Sequence, residues 1–396
     1  MISLEISNPL NKLRTYIEAQ RYMGYDPYDT LCSPILRSFT GWPGVIATQI
    51  QKRNPINIRP LLGIRKEYNP KAMGLLLHAY VLLQRVFPQE DFSKQQDFLF
   101  QWLSKNTSRG FKNTCWGYNF GWAGPGKYLP PFAPTVVATS FIAKGIFEYY
   151  QLKKKPEALE LLNGVSRFIV EDLPLTETPE GICYSYSPFL KDCCYNASLL
   201  GAETLARCYS ITGETLLKKN AERAVDFVIH KQKPDGRWNY KIDPETGIER
   251  AQVDFHQGYI LDSIDAVKKY AGYDSPAVNQ AIDKGSGFYM QEQFFPDGRS
   301  KWRLPHEYPV EIHNQAQGII TFSRLHKSHN TFLPFAKKIL AWTIKHMQDR
   351  KQGYFYYRKN RWYTNSISFM RWSNAWMLLA FAEYMIAMNK GGKTNA

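Results

Sequence analysis

Apolar residues recur along the chain with the 3.6-residue period of a helix, in two alternating kinds of segment. Amphipathic segments with one charged face lie near 91–104, 156–171, 214–232, 275–292 and 331–348. Between them are six segments that are apolar on nearly every face, which is typical of buried helices. These begin near Lys71, Pro134, Cys194, Val253, Pro309 and Phe369, about 60 residues apart. The repeat predicts stacked helical hairpins, because one hairpin cannot bury its own apolar face.

Six such hairpins can close into a ring if one more outer helix is available. Helix 8–23 supplies it, as part of an N-terminal extension over residues 1–65. The pattern therefore predicts an all-α fold, an (α/α)6 toroid that spans residues 1–396 as a single domain with a flexible tail at 390–396. An open solenoid of the same hairpins is the alternative, since the repeat alone does not define closure.

Five long connections follow the outer helices and precede the inner ones: 106–133, 172–193, 233–252, 293–308 and 349–368. They are rich in Gly, Pro and aromatic residues, and two Asp-Gly pairs in them predict short β-hairpins. All five lead into inner helices, so they gather on one rim of the toroid. Loops of this length in a compact domain are usually functional, and the sequence therefore predicts a cleft at that rim.

Polar and titratable residues recur where the inner helices begin. One such residue is usually a helix cap, but His and Arg are poor N-caps, and recurrence in successive hairpins favours a functional site. The candidate catalytic residues are Asp254, His256, Tyr259, Glu311, His313 and Arg371. Aromatic rings suit stacking on sugar rings and an amide suits their hydroxyls. The candidate sugar-binding residues are Trp116, Tyr118, Trp122, Asn196, Trp238, Trp302, Trp372 and Trp376.

The charge and the cysteines narrow the class of partner. Fifty Lys and Arg against 35 Asp and Glu give a net charge of +15, which suits an anionic partner. The cations are scattered, so no nucleic-acid partner is expected. The six cysteines lack metal-site spacing, and the pairs Asp254/His256 and Glu311/His313 are two residues apart, a spacing that does not face one way on a helix. We therefore expect no metal and no cofactor.

The first residues, MISLEISNPLNKLRT, contain no apolar stretch of the kind that a signal peptide needs. The most apolar late stretch, Trp376 to Met388, is too short to cross a bilayer and contains Glu383. A cytoplasmic protein is expected, either free or peripheral to the inner face of the membrane.

Several segments together resemble a group of bacterial and archaeal α/α-toroid proteins from surface-polysaccharide gene clusters. They are CWGYNFGW (115–122), CYNASLLGAETLARCY (194–209), VDFHQGYILDSI (253–264), FFPDGRSKW (294–302), YPVEIHNQAQGIITF (308–322) and FMRWSNAWMLLAFAEY (369–384), with GYDPYD (24–29) and INIRPLLGI (56–64). The resemblance covers nearly the whole chain and implies a toroid that acts in cell-surface polysaccharide biosynthesis or modification. Glu311 stands where this group suggests Asp, which keeps the carboxylate.

A narrower resemblance links Gln232, Gly236 and Trp238 to the QW motif of terpene-cyclase-like toroids. The chain has no DxDD motif and no adjacent Asp pair, so the acid that such a cyclase needs is missing. This resemblance therefore implies a packing arrangement at the end of an outer helix and no cyclase activity.

Two reactions fit the candidate residues, and abstraction of the C5 proton of a uronic acid is favoured over glycoside hydrolysis. The C5 proton of a uronic acid can be removed by Tyr259, His256 or His313 while Arg371, Asn196 or a protonated histidine neutralises the carboxylate. These residue types are similar to those of toroid polysaccharide lyases and uronyl C5-epimerases. The expected partner is an anionic oligo- or polysaccharide.

Two alternatives to proton abstraction stay open. One is glycoside hydrolysis by two carboxylates, with Asp254 and Glu311 as the pair. The other is a non-catalytic role as a glycan-binding or scaffold protein in a polysaccharide assembly complex at the membrane. An aromatic rim with repeated polar groups would also suit a bound sugar that undergoes no reaction.

Overall fold

A computed structural model describes residues 4–39, 41–124 and 127–391. Its helices match the predicted alternation closely, and most begin within three residues of the predicted positions. In chain order they are α1 (Leu4–Ala19), α2 (Gly41–Arg53), α3 (Pro70–Val86), α4 (Ser93–Lys105), α5 (Val136–Lys153), α6 (Pro156–Arg167), α7 (Tyr195–Thr212), α8 (Thr215–His230), α9 (His256–Ala271), α10 (Pro276–Glu292), α11 (Ile312–Arg324), α12 (Phe332–Met347) and α13 (Trp376–Gly391).

The inner helices α3, α5, α7, α9, α11 and α13 form a closed ring. Each packs against the next, and α13 packs against α3. This closure confirms the predicted (α/α)6 toroid and excludes the open solenoid. The two layers differ as the hydrophobic pattern predicts. The inner helices are buried on almost every face, whereas the outer helix α6 buries a stripe that includes Ala158, Leu162 and Val165.

The N-terminal part of the chain differs in detail from the expectation. Helix α1 packs against α13, but it spans Leu4–Ala19, four residues earlier than the predicted 8–23. Its buried stripe begins at Ile6, two residues before the Asn8-Pro9 pair that resembles a helix start. Helix α2 is not predicted at all, and its burial is unusual, as described below. Within the expected tail at 390–396, residues 392–396 lie outside the described part of the chain.

The rim opposite the C-terminal ends of the inner helices is built from short strands, as predicted. They are β1 (Trp122–Gly124), β2 (Lys127–Leu129), β3 (Leu175–Thr178), β4 (Gly181–Tyr184), β5 (Cys193–Cys194), β6 (Lys241–Ile242), β7 (Glu249–Arg250), β8 (Val310–Glu311), β9 (Tyr356–Lys359) and β10 (Thr364–Ser368). All pairings among them are antiparallel.

The predicted Asp-Gly turns are present at the same rim. Gly236 and Gly298 have φ of +95° and +92°, which favours glycine. A Cβ at Gly236 would lie 2.3 Å from the carbonyl oxygen of Lys284, so this turn sits directly on the next outer helix, α10. None of the helices in the described ranges combines the length and apolar character that crossing a bilayer requires.

Candidate active site

A cleft of about 1100 Å³ opens at the rim where the inner helices begin. Eleven of the fourteen candidate residues line it. They are Tyr118, Trp122, Asn196, Asp254, His256, Tyr259, Trp302, Glu311, His313, Arg371 and Trp372. They converge because the toroid brings the N-terminal ends of its inner helices to one face, and side chains in those first turns point toward the ring axis.

Three candidates do not line the cleft, and the expectation that they bind sugar is corrected. Trp116 and Trp238 are completely buried, and their indole Nε1 groups donate to the carbonyl oxygens of Leu103 and Val228 at 3.1 and 2.9 Å. Each therefore packs on the last turn of an outer helix. For Trp238 this is the packing role that the QW-like motif implied. Trp376 is buried beneath the cleft, where its ring stacks under Tyr259 at a centroid distance of 5.8 Å.

Asp254 and His256 form a hydrogen-bonded pair, with 2.5 Å between Asp254 Oδ1 and His256 Nδ1. The expectation that this spacing keeps them apart was wrong, because α9 begins at His256 and Asp254 precedes the helix. Burial alone would raise the pKa of Asp254, but His256 and Arg303 outweigh it and lower that pKa below its ordinary value. Asp254 is therefore an ionised partner that holds the proton on Nδ1 of the imidazole, leaving Nε2 as the basic nitrogen.

His313, one inner helix further on, has a different environment. Its Nε2 lies 2.6 Å from the hydroxyl oxygen of Tyr259. Burial lowers the pKa of His313 well below its usual value, and Lys71 and Arg371 lower it further, so the imidazole is neutral. Burial raises the pKa of Tyr259 well above 10.0, which keeps the phenol protonated.

Phe255 lies between the two histidines. Its ring centroid is 4.2 Å from that of His256 and 4.3 Å from that of His313. The cleft thus presents two different proton-transfer groups on either side of one aromatic ring. One is an imidazole hydrogen-bonded to a carboxylate, and the other is a neutral imidazole hydrogen-bonded to a phenol.

The remaining titratable candidates are held in ion pairs. Glu311 accepts from Arg358 Nε at 2.6 Å through one oxygen and from Trp372 Nε1 at 2.9 Å through the other. Arg371 forms a bidentate pair with Asp26, at 2.6 and 2.7 Å. Because Asp26 lies in the segment between α1 and α2, the N-terminal part of the chain completes the cleft wall.

Lys71 is a cleft residue that the sequence analysis did not select. It is 3% exposed, and its Nζ lies 4.0 Å from the ring centroid of Phe141 and 5.3 Å from that of Trp376. No hydrogen-bond acceptor among the described residues reaches this amine. Burial lowers its pKa well below 10.5, and Arg371 and Lys144 lower it further. A signal was available, because Lys71 occupies the first turn of α3, in register with the selected first-turn residues.

The cleft carries an excess of positive charge. Among the described residues, eight Lys and Arg line it, against three Asp and Glu. Three of the arginines, Arg303, Arg358 and Arg371, are matched by carboxylates. Lys52 and Lys71 are the buried lining cations without a carboxylate partner in the described chain. The described residues contain no cluster of three or more His, Cys, Asp and Glu side chains that could hold a metal ion.

Several solved enzyme structures are similar to this chain along almost their whole length. The cellobiose 2-epimerase from Bacillus thermoamylovorans B4167 is 15% identical with a TM-score of 0.65, over 95% of this chain and 99% of that one. A glycoside hydrolase family 76 mannosidase from Bacteroides thetaiotaomicron VPI-5482 is 12% identical with a TM-score of 0.63, over 98% and 100%. An unsaturated glucuronyl hydrolase specific for heparin is 11% identical with a TM-score of 0.62, over 96% and 98%.

No protein-family model matches the chain, and no curated protein sequence matches it. The likeness to the three enzymes therefore concerns the arrangement of the backbone, since identities of 11–15% are too low to carry residue roles from one chain to another. Together with the closed ring of six inner helices, it shows that this chain has the α/α-toroid fold.

Proposed function

We propose that this protein is a carbohydrate-active enzyme that removes the C5 proton of a uronate residue in a glycan, leading to epimerisation or β-elimination. The observation that carries the proposal is the pair of unlike histidines on either side of Phe255, one backed by Asp254 and one bonded to Tyr259. The toroid fold shared with an epimerase and two glycosidases supports a saccharide substrate.

His256 is the base in this proposal. Asp254 accepts a hydrogen bond from Nδ1–H, so Nε2 is free to take the proton from C5, and the carboxylate then stabilises the resulting imidazolium. Tyr259 is the acid, and its hydroxyl proton goes either to C5 from the opposite face or to the departing O4. The first outcome is epimerisation and the second is β-elimination. The proton on His256 returns to Tyr259 through solvent, which restores both groups.

Lys71 is the proposed ligand of the substrate carboxylate. Removing the C5 proton moves negative charge onto that carboxylate, so a fixed cation beside it lowers the barrier. The Lys71 amine lies beneath the cleft 5.9 Å from the Tyr259 ring centroid and has no acceptor of its own in the described chain. A bound carboxylate would supply that acceptor. Lys52, whose Nζ lies 5.6 Å from the ring centroid of Trp372, is available to a second anionic group.

The geometry disfavours glycoside hydrolysis by Asp254 and Glu311. A general acid must hold a proton to give to the leaving oxygen. His256 and Arg303 lower the pKa of Asp254, and both oxygens of Glu311 already accept hydrogen bonds from Arg358 and Trp372. Neither carboxyl group is arranged as a proton donor, whereas the Tyr259 hydroxyl is.

The biosynthetic setting belongs to the same proposal. Its support is the sequence resemblance to toroid proteins of surface-polysaccharide gene clusters, together with a cleft whose lining cations outnumber its carboxylates. We therefore infer an anionic cell-surface glycan as the substrate.

Product analysis on uronate-containing oligosaccharides tests the proposal. A lyase produces the ultraviolet absorbance of an unsaturated uronate, and an epimerase incorporates deuterium from solvent at C5. We expect His256→Gln to lower kcat by about 10²–10⁴-fold while binding persists. The matched control is His329→Gln, an exposed histidine outside the cleft.

Two results would refute the proposed chemistry. The appearance of new reducing ends without absorbance or deuterium uptake would identify a hydrolase. Binding without turnover, unchanged in the His256 variant, would identify a glycan-binding module.

A further inference from the structure

The segment 35–61 exposes an unusual amount of apolar surface. Among the described residues, eighteen large apolar or aromatic side chains are classed as exposed, and seven of them fall in these 27 positions. They are Ile35, Phe39, Trp42, Ile46, Ile50, Ile56 and Leu61. Scattered single residues of this kind are normal on a protein surface, but a concentration in one short segment indicates an interaction site.

Helix α2 carries the centre of this surface, and it buries small and polar residues while exposing large apolar ones. Trp42, Ile46 and Ile50 follow one another at four-residue spacing and are 62%, 55% and 64% exposed. The face turned toward the protein consists of Gly44, Thr48, Gln51 and Lys52. A helix that hides small and polar residues and exposes its isoleucines has its apolar face prepared for something outside the chain.

The charged residues in the sequence around this apolar face are basic. No Asp or Glu occurs between Asp29 and Glu67, whereas six Lys and Arg residues do. Four of these cations are exposed: Arg37, Arg53, Arg65 and Lys66. The two ends of the segment are tied together, since Ser33 Oγ donates to the carbonyl oxygen of Leu62 at 2.7 Å. The exposed apolar residues near both ends therefore belong to one folded unit with the cations.

We propose that segment 35–61 binds the surface of an anionic lipid bilayer, with Trp42, Ile46 and Ile50 inserted at the level of the headgroups. Exposed apolar side chains beside Lys and Arg are the combination that anionic membrane surfaces attract. A second copy of this chain fits less well, because a two-fold interface would bring the same cations together without any acidic partner in the segment.

The binding surface adjoins the cleft. Gln49, Lys52 and Arg53 of the same helix line the cavity, so a bilayer against α2 lies beside the cleft mouth. A glycan carried on a lipid would then reach the site directly. This inference concerns lipid binding and stands independently of the chemistry in the cleft.

Vesicle flotation with the full-length protein tests the inference. We expect binding to vesicles of phosphatidylcholine mixed with phosphatidylglycerol, and much weaker binding to phosphatidylcholine alone or at high salt. Ile46→Ser/Ile50→Ser should lower the partition coefficient at least tenfold, because the inserted apolar area is lost. Its control is Leu216→Ser/Ile248→Ser, which removes two exposed apolar side chains elsewhere.

A second pair of variants separates the charge from the apolar face. Arg37→Gln/Arg65→Gln should lower binding by roughly fivefold for each cation removed. Lys337→Gln/Lys338→Gln removes the same charge from the exposed face of α12 and should leave binding unchanged.

Equal losses in test and control pairs would overturn the inference, as would a failure to bind anionic vesicles. Sedimentation as a dimer that the Ile46/Ile50 variant dissociates, without vesicle binding, would overturn it in favour of a second copy of the chain.

Discussion

Replacing Lys71 by Met is expected to make the protein more stable and its binding of uronate weaker. Lys71 is 3% exposed, and no described residue offers its amine an acceptor. Desolvation of this amine, which lowers its pKa, costs about 1–3 kcal/mol, and Met at the same place avoids that cost. An unfolding entropy of about 2.1 cal/mol/K per residue gives roughly 0.8 kcal/mol/K for this chain, so Tm should rise by about 1–4 °C.

The effect on binding has the opposite sign. A hydrogen bond from a charged donor contributes about 1.5–3 kcal/mol, so the loss of Lys71 should raise the Kd for a uronate oligosaccharide by roughly 10- to 150-fold. Thermal denaturation and titration calorimetry measure the two quantities on the same samples. The combination of higher stability and weaker binding is what a group held unsatisfied for a ligand should give.

Lys144→Met is the matched control. Lys144 is also 3% exposed, on the neighbouring inner helix α5, but its Nζ lies 2.8 Å from Glu203 Oε2. Removing it leaves a buried carboxylate with one cation fewer, at a cost of about 3 kcal/mol or more, so Tm should fall by about 4 °C. If Lys71→Met lowers Tm as much as Lys144→Met does, or leaves the Kd unchanged, the reasoning about Lys71 is refuted.

Three further outcomes are expected. A bound carboxylate should raise the lowered pKa of Lys71, so the protein takes up a proton on binding and affinity falls with rising pH; calorimetry in two buffers of different ionisation enthalpy measures this, and zero uptake would contradict it. Trp238→Phe should lower the free energy of unfolding by about 1–3 kcal/mol with KM unchanged, whereas Trp302→Ala should raise KM with little change in Tm. Asp254→Asn should lower kcat by about 10²–10⁴-fold, and an unchanged kcat would exclude His256 as the base.

The fold could be predicted from the sequence because the inner and outer helices differ in a property that the sequence displays. Inner helices are apolar on most of their faces and outer ones have one apolar stripe, and this contrast repeats along the chain. Helix α2 breaks the rule, since it buries Gly44 and Thr48 and exposes Ile46. A method that assigns apolar residues to the core places Ile46 inside, so it cannot tell that this apolar face points outward.

The position of the cleft could be predicted from the sequence, but only some of its side-chain pairs could. The rule that selects residues at the start of the inner helices found Asp254, His256 and His313, and it would have found Lys71 if it had been applied to α3. The partners of Glu311 and Arg371 come from β9 and from the N-terminal segment, far away in sequence. Such pairings depend on tertiary structure. The distinction between lining and packing tryptophans does too, because both kinds lie in the same loops.

A second layer of charges closes the toroid axis below the cleft. About two helical turns beyond the first-turn residues, Lys144 pairs with Glu203, and Arg324 bridges Asp262 and Glu383. These side chains come from five different inner helices.

Because these groups are partnered, this layer contributes to the structure of the ring, whereas the unpartnered Lys71 lies above it. Trp376, buried beneath Tyr259, fills the space between the two levels. The cleft is therefore blind, and a glycan chain cannot thread through the ring. In the proposed function, substrate enters and product leaves past the rim, on the side where α2 contributes to the wall. A lipid surface held against α2 would lie beside that single entrance.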